Sequence, residues 1–196
     1  MSKAEKTTAF IIEKSAPIFN TKGYVATSLS DIMEATGLTK GAIYGNFQDK
    51  DQLAIAVYKH NFEAMQKRLE AVYASHNTAY DKLKAFTQYY RDNWKKLFER
   101  GGCPVLNASI EADDNISFLK KPVQQSIKSW VRSLTGIIEA GVQEGIFKKE
   151  IQAEYYAHSI IMMLEGGVML SKIMGNHQLL YTALDRINAM IDNEMS

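Results

Sequence analysis

Ser28-Leu29-Ser30-Asp31-Ile32-Met33-Glu34-Ala35-Thr36-Gly37-Leu38-Thr39-Lys40-Gly41-Ala42-Ile43-Tyr44-Gly45-Asn46-Phe47 is the stretch on which the fold turns. Ser28 followed three residues later by Asp31 is a capping-box start, in which side chain and backbone satisfy each other's first-turn groups. Gly37 offers a stop about nine residues on. Thr39 then opens a second short helix, and Ile43 and Phe47, four apart, share its inward face. Two short capped helices joined at a glycine are the outline of a helix-turn-helix, whose second helix lies in a DNA major groove while the first crosses over it. Gly41, Ala42 and Gly45 are small enough to let a backbone approach the groove. Thr39, Lys40 and Tyr44 have the chemistry to bond phosphates, as do the helix N-terminus and Lys50 just beyond. An ordinary helical hairpin with no nucleic-acid role fits the same capped pair. Charge does not separate the two readings, because residues 1–60 hold seven lysines and six acids.

Working outward, the rest of the chain also reads as helix. Ile12, Ala16 and Phe19 step by four and three, Pro17 predicts a bend among them, and Gly23 suits a left-handed helix end. Asp49 and Gln52 repeat the capping pattern ahead of a long helix that carries Leu53, Val57, Tyr58, Phe62, Met65, Leu69 and Val72. Further helices are expected at about 78–100, 104–111, 116–143, 150–174 and 177–193. Breaks are expected at His76-Asn77, Gly101-Gly102, Asp113-Asp114-Asn115, Gly145 and Gly175-Asn176. No useful run alternates with period two. The fold class is therefore all-α. With 196 residues, 46% apolar and 23% charged, and a net charge of +1, the chain is an ordinary globular sequence and carries no polybasic or acidic tail. Its one cysteine excludes an intramolecular disulfide and a cysteine-based zinc site, which together point to the cytoplasm. The longest apolar stretch, Ile160 to Leu170, is interrupted by Glu165 and is too short to span a bilayer, and no signal core follows the first residues.

Gly23-Tyr24-Val25-Ala26-Thr27-Ser28-Leu29-Ser30-Asp31-Ile32, Ala35 through Phe47, and Lys50-Asp51-Gln52-Leu53 together resemble the TetR family of bacterial transcriptional regulators over residues 8–55. The resemblance implies a DNA-binding domain at 5–65, with its helix-turn-helix at about 28–47, and a helical regulatory and dimerisation domain at 66–196. It implies phosphate contacts from Ser28, Thr39, Tyr44 and Lys50, and groove-facing positions at Lys40, Gly41, Ala42 and Asn46. Asn46 stands where many members carry histidine, which leaves the base preference open. A symmetric homodimer, a pseudopalindromic double-stranded DNA operator and a small-molecule inducer are the implied partners, with no cofactor and no membrane. The last two long helices would form the dimer seam. Gly166-Gly167 in mid-helix fits such a seam, and fits packing within one chain equally well.

Arg100-Gly101-Gly102-Cys103-Pro104-Val105-Leu106-Asn107 is the most unusual local string. Proline favours the first turn of a helix, so Cys103 would sit at a helix N-terminus, where a thiolate is stabilised and Arg100 is a candidate cation. The string resembles a Gly-Cys-(Pro/Leu)-x-x-Asn element of one branch of the family, in which some members sense electrophiles. A buried, inert cysteine fits it too. Tyr90, Trp94, Phe98, Cys103, Asn107, Phe118, Trp130, Met162 and Met163 are candidate pocket residues, although aromatics and methionines at helical spacing also serve as plain core. His60, His76, His158 and His177 have no metal-ligand spacing, and His158 reads as a core histidine. No phosphate loop, Gly-x-Ser-x-Gly, His-Glu-x-x-His or Cys-His pair points to an enzyme. The expected function is a ligand-responsive repressor. A helical protein-interaction adaptor is the alternative.

Overall fold

The computed structural model describes residues 2–114 and 116–196, and no strand occurs among them. The helices in chain order are α1 (Lys3–Lys22), α2 (Leu29–Thr36), α3 (Lys40–Tyr44), α4 (Lys50–Ala74), α5 (Ala79–Glu99), α6 (Pro104–Asp114), α7 (Ser117–Gln143), α8 (Ala153–Met174) and α9 (Gln178–Met190), followed by a π-helical turn, Ile191–Met195. The all-α expectation holds. Asn115, part of one expected break, lies outside the described residues.

The chain forms two compact units. The first comprises residues up to Met65 together with Glu99–Ser126, so α6 and the start of α7, although distant in sequence, pack with the N-terminal helices. Its core joins Ile11, Phe19 and Tyr24 to Ile32, Ile43 and Phe47 of the helix-turn-helix, and adds Leu53, Val57 and Tyr58 of α4, Ala108 and Ala112 of α6, and Leu119 and Val123 of α7. α1 runs unbroken through Pro17. Gly23 has φ 95° and ψ 163°, a positive φ but not the left-handed helical conformation expected, and its N–H still closes α1 on Phe19. Gly37, with φ 68° and ψ 12°, does end α2 in the left-handed region.

The second unit comprises Gln66–Phe98 and Ile127–Ser196. α8 packs on α9 and buries Ala157, Ile160, Leu164, Val168 and Ser171, and the Leu180 N–H donates to Ser171 Oγ at 2.6 Å. A Cβ on Gly167 would lie 2.7 Å from Ala183 Cβ, so this glycine serves packing within the chain, whereas one on Gly166 would meet open space. Gln66 Nε2 donates to Ser129 Oγ at 3.2 Å and Thr87 Oγ1 to Asn188 Oδ1 at 2.8 Å. α8 begins at Ala153, three residues later than expected, because Gln152 is extended at ψ 95°. The 11-residue apolar run belongs to this 22-residue helix, which by length and composition alone is sufficient to cross a membrane.

Candidate nucleic-acid interface

The helix-turn-helix is built from the local signals that announce it. Ser28 Oγ accepts from the Asp31 N–H at 3.2 Å, and the Ser28 N–H donates to Asp31 Oδ2 at 2.7 Å, which completes the capping box. The Lys22 ammonium, 2.6 Å from Asp31 Oδ2, holds the Asp31 carboxyl down to about 2, helped by the Ser28 amide and hydroxyl. The Ser28 hydroxyl also donates to Asp31 at 2.8 Å, so this hydrogen must leave Asp31 before it can bond a phosphate. Thr39 caps α3, with Oγ1 accepting from the Ala42 N–H at 3.3 Å and its own O–H left to donate outward.

α3 is shorter than the expected Thr39–Phe47. Beyond Tyr44 the chain tightens, with the Asn46 and Phe47 N–H groups both donating to the Ile43 carbonyl. Ile43 and Phe47 are buried as the spacing implied. Lys40, Gly41 and Thr39 are exposed, Ala42 and Tyr44 half-buried, and the Lys40 ammonium lies 5.9 Å from the Tyr44 ring centre. Asn46 is half-buried and hydrogen-bonded within the chain. Its Nδ2 donates to the Ala42 carbonyl at 2.9 Å and its Oδ1 accepts from Thr8 Oγ1 at 3.0 Å, so both ends of the amide tie the end of α3 to itself and to α1. Lys50, the first residue of α4, sends its ammonium to the Val25 carbonyl at 3.2 Å. Ser28, Thr39, Lys40, Gly41, Ala42, Tyr44 and Lys50 thus all belong to one helix-turn-helix and the start of the helix that follows it.

Two partners escaped the sequence reading. Thr8 lies 38 residues from Asn46, and Glu111 lies 87 residues from Tyr24, whose N–H it accepts. No local pattern connects positions so far apart.

The expected pocket residues are dispersed. Tyr90 is buried against Phe86 and Tyr89, while Trp94 stacks on His177 at 4.5 Å and meets Phe98 edge-on. Trp130 is buried, with no hydrogen-bond partner at Nε1, and the buried Tyr73 hydroxyl also lacks one. Met163 is half-buried, but Met162 is 67% exposed, because it stands half a turn from Ile160 and Leu164, which are fully buried. Phe118 packs on the core of the first unit, and Asn107 directs its amide at Asn20 and the Gly101 carbonyl. Cys103 is buried at 4% exposure at the start of α6. His158 is exposed, not in a core, and lines a groove of about 430 Å³ with Ile127, Val131 and Thr135, between α7 and α8. None of the expected pocket residues lines that groove. No cluster of three His, Cys, Asp or Glu side chains that could hold a metal occurs among the described residues.

Comparison with known proteins agrees with this architecture. Residues 11–57 match the family described as bacterial regulatory proteins, tetR family, and residues 79–192 match the tetracyclin repressor-like C-terminal domain. A TetR-family transcriptional regulator of Cytophaga hutchinsonii, known from its crystal structure, is 38% identical, covers 98% of this chain and 96% of its own, and superposes with a TM-score of 0.94. A TetR transcriptional regulator of Chloroflexus aurantiacus is 34% identical over 100% of this chain and 98% of its own, with a TM-score of 0.90. An HTH-type transcriptional regulator from the lacX 3′ region of Lactococcus lactis is 26% identical over 90% of this chain and 92% of its own length.

Proposed function

Because the chain belongs to the TetR family of bacterial transcriptional regulators, we propose that it is a homodimeric repressor that binds a pseudopalindromic operator and releases it when a small molecule enters its C-terminal half. Residues 5–65 act as the DNA-binding domain and 66–196 as the regulatory and dimerisation domain. The protein works in the cytoplasm, on DNA. Ser28, Thr39, Tyr44 and Lys50 engage phosphates; Lys40, Gly41 and Ala42 face the groove, and Asn46 braces them from behind.

The observation that carries this reading is Gly41. It is exposed, its φ is not positive, and a Cβ there would meet nothing within 4 Å. Glycine inside a helix costs about 1 kcal/mol relative to alanine. Nothing inside the chain requires that sacrifice, whereas close approach of a duplex does. Gly41→Ala is therefore expected to raise stability by about 0.5–1 kcal/mol while weakening binding to the protein's own upstream DNA. Thermal melts and gel shifts on the same preparation check the pairing. Unchanged affinity in the stabilised variant sinks this use of Gly41.

Phosphate contacts act alike on all sequences. Lys50→Ala should weaken matched and mismatched duplexes equally and reduce the salt slope by about one. Tyr44→Ala should weaken both equally as well. Binding isotherms over a salt series decide this; a change in discrimination with the slope intact contradicts the assignment.

For the inducer we favour a reversible ligand of the C-terminal core, with Tyr90, Trp94, Phe98, Trp130 and Met163 as candidate contacts. The unpartnered Trp130 N–H and Tyr73 O–H suit a ligand that carries acceptor oxygens. The burial of Cys103 favours a structural thiol. α4, continuous over 25 residues, is the proposed route of the signal, and a coupling of about 1–3 kcal/mol changes DNA affinity about 5- to 150-fold.

A further inference from the structure

The loop that joins α1 to α2 is held by a side chain far from it in sequence. Glu111 of α6 accepts the Tyr24 N–H on Oε1 at 2.8 Å and the Val25 N–H on Oε2 at 2.8 Å. Both oxygens of one carboxylate are thus occupied by consecutive backbone amides, and such charge-assisted bonds are roughly twice as strong as neutral ones. Gly23 makes room for this arrangement, because a Cβ there would lie 2.8 Å from Glu111 Oε1. On the other side of the loop, the Val25 carbonyl takes the Lys50 ammonium at 3.2 Å. Thr27 closes the turn, its N–H and Oγ1 both bonding the Gly23 carbonyl. α6 itself is anchored one turn earlier. Asn107 Nδ2 donates to the Asn20 carbonyl at 3.0 Å and to the Gly101 carbonyl at 2.9 Å, and Asn20 Nδ2 donates to the Gly102 carbonyl at 3.3 Å.

We propose that Glu111 is a positioning residue for DNA binding: from α6 it sets the Gly23–Thr27 loop, and through that loop the Ser28 cap and the Lys50 ammonium that meet the duplex. The proposal rests on the reading of Ser28 and Lys50 as phosphate contacts. An acid offers nothing to a phosphate directly, so any effect of Glu111 on affinity passes through the loop. An unbraced surface loop would sample many conformations, and the fixed spacing of the two half-sites tolerates few of them. α6 thereby holds the DNA-binding helices alongside α4, and a displacement of α6 would act on the same loop from the side opposite Lys50.

The test uses the full-length protein and its Glu111→Ala and Glu111→Gln variants, the second keeping one acceptor oxygen and the side-chain size. Amide exchange at Tyr24 and Val25 is followed by NMR in the absence of DNA. Affinity for a duplex from the protein's own upstream region is then titrated across salt concentrations, at a temperature where all forms are folded. In Glu111→Ala the two amides should exchange about tenfold faster, with a smaller gain in Glu111→Gln. Affinity should fall about fivefold or more with the salt slope of the wild type, in contrast to Lys50→Ala, whose slope drops by about one. A merely stabilising residue would lower the melting temperature and leave both readouts in the folded protein unchanged, which overturns the proposal. Faster exchange with unaltered affinity overturns it too. A wild type that ignores the duplex removes the phosphate reading on which the proposal stands, while the exchange data report on the clamp without DNA.

Discussion

Met169→Asp combined with Ile173→Asp on α8 should leave the chain helical, convert it to a monomer and reduce operator affinity by about two orders of magnitude or more. The buried face of α8 is occupied by α9, yet its opposite face is also apolar. Met162, Met169 and Ile173 are large and exposed, Ile173 at 78%, and with Gly166 they follow the helical steps of four, three and four. Tyr155 and Met174 extend the exposed apolar surface at the two ends of the helix. Exposed apolar patches of this kind mark an interaction site. In a two-fold interface each residue counts twice, and each buried aliphatic side chain contributes about 1.5–3 kcal/mol. Four carboxylates placed in such a seam bring desolvation and mutual repulsion on top of that loss. Gly166 adds geometry, since the open space above it lets a second helix come close. Sedimentation at micromolar concentration, far-UV circular dichroism and gel shifts check the three parts. A double variant that remains a dimer sends the dimer contact elsewhere, and the exposed stripe would then need another occupant.

This surface marks where the sequence could be read and where it could not. α2 and the start of α3 were legible because caps are local: Ser28 and Asp31 lie three residues apart, and Gly37 needs no partner to favour a left-handed turn. Ile43 and Phe47 were legible because a period of four on a short helix leaves one inward face. Met162 could not be assigned to a face from the sequence, because α8 is apolar on more than one face. Periodicity reports that a face is greasy, and does not report whether α9 or a second chain covers it. Asn46 shows a different limit. Its position on α3 is local information, but its partner Thr8 belongs to another helix, and only the folded chain shows the amide already engaged. The same holds for Glu111, which looks in sequence like any acid on the surface of a helix. The group of helices that packs around the helix-turn-helix draws on residues 99–126, a long-range association with no short-range signal.

Gly101 offers the sharpest separation between two kinds of glycine. Gly101→Ala should lower the melting temperature by about 10 °C or more, against about 2–8 °C for Gly37→Ala. Both residues have positive φ, +94° at Gly101 and +68° at Gly37. At Gly37 the backbone is left-handed helical and a Cβ would enter open space, so the cost is the conformational one alone, about 1–2 kcal/mol. At Gly101 a Cβ would stand 2.5 Å from the Asn20 carbonyl oxygen and 2.9 Å from its carbon. These are backbone atoms in the last turn of α1 and cannot swing aside as a side-chain tip would. Relief requires α6 to lift from α1, which breaks the Asn20–Asn107 contacts and leaves amide groups unpaired at about 1–3 kcal/mol apiece. Strain and lost bonds together reach about 4–5 kcal/mol, a large fraction of the 5–15 kcal/mol that holds a typical protein folded. Calorimetry on the two single variants compares them directly. Equal shifts would show that α6 gives way at little cost. The larger shift at Gly101 should come with weaker operator binding below the melting temperature, because the α6 displaced by the alanine is the helix that carries Glu111 to the α1–α2 loop.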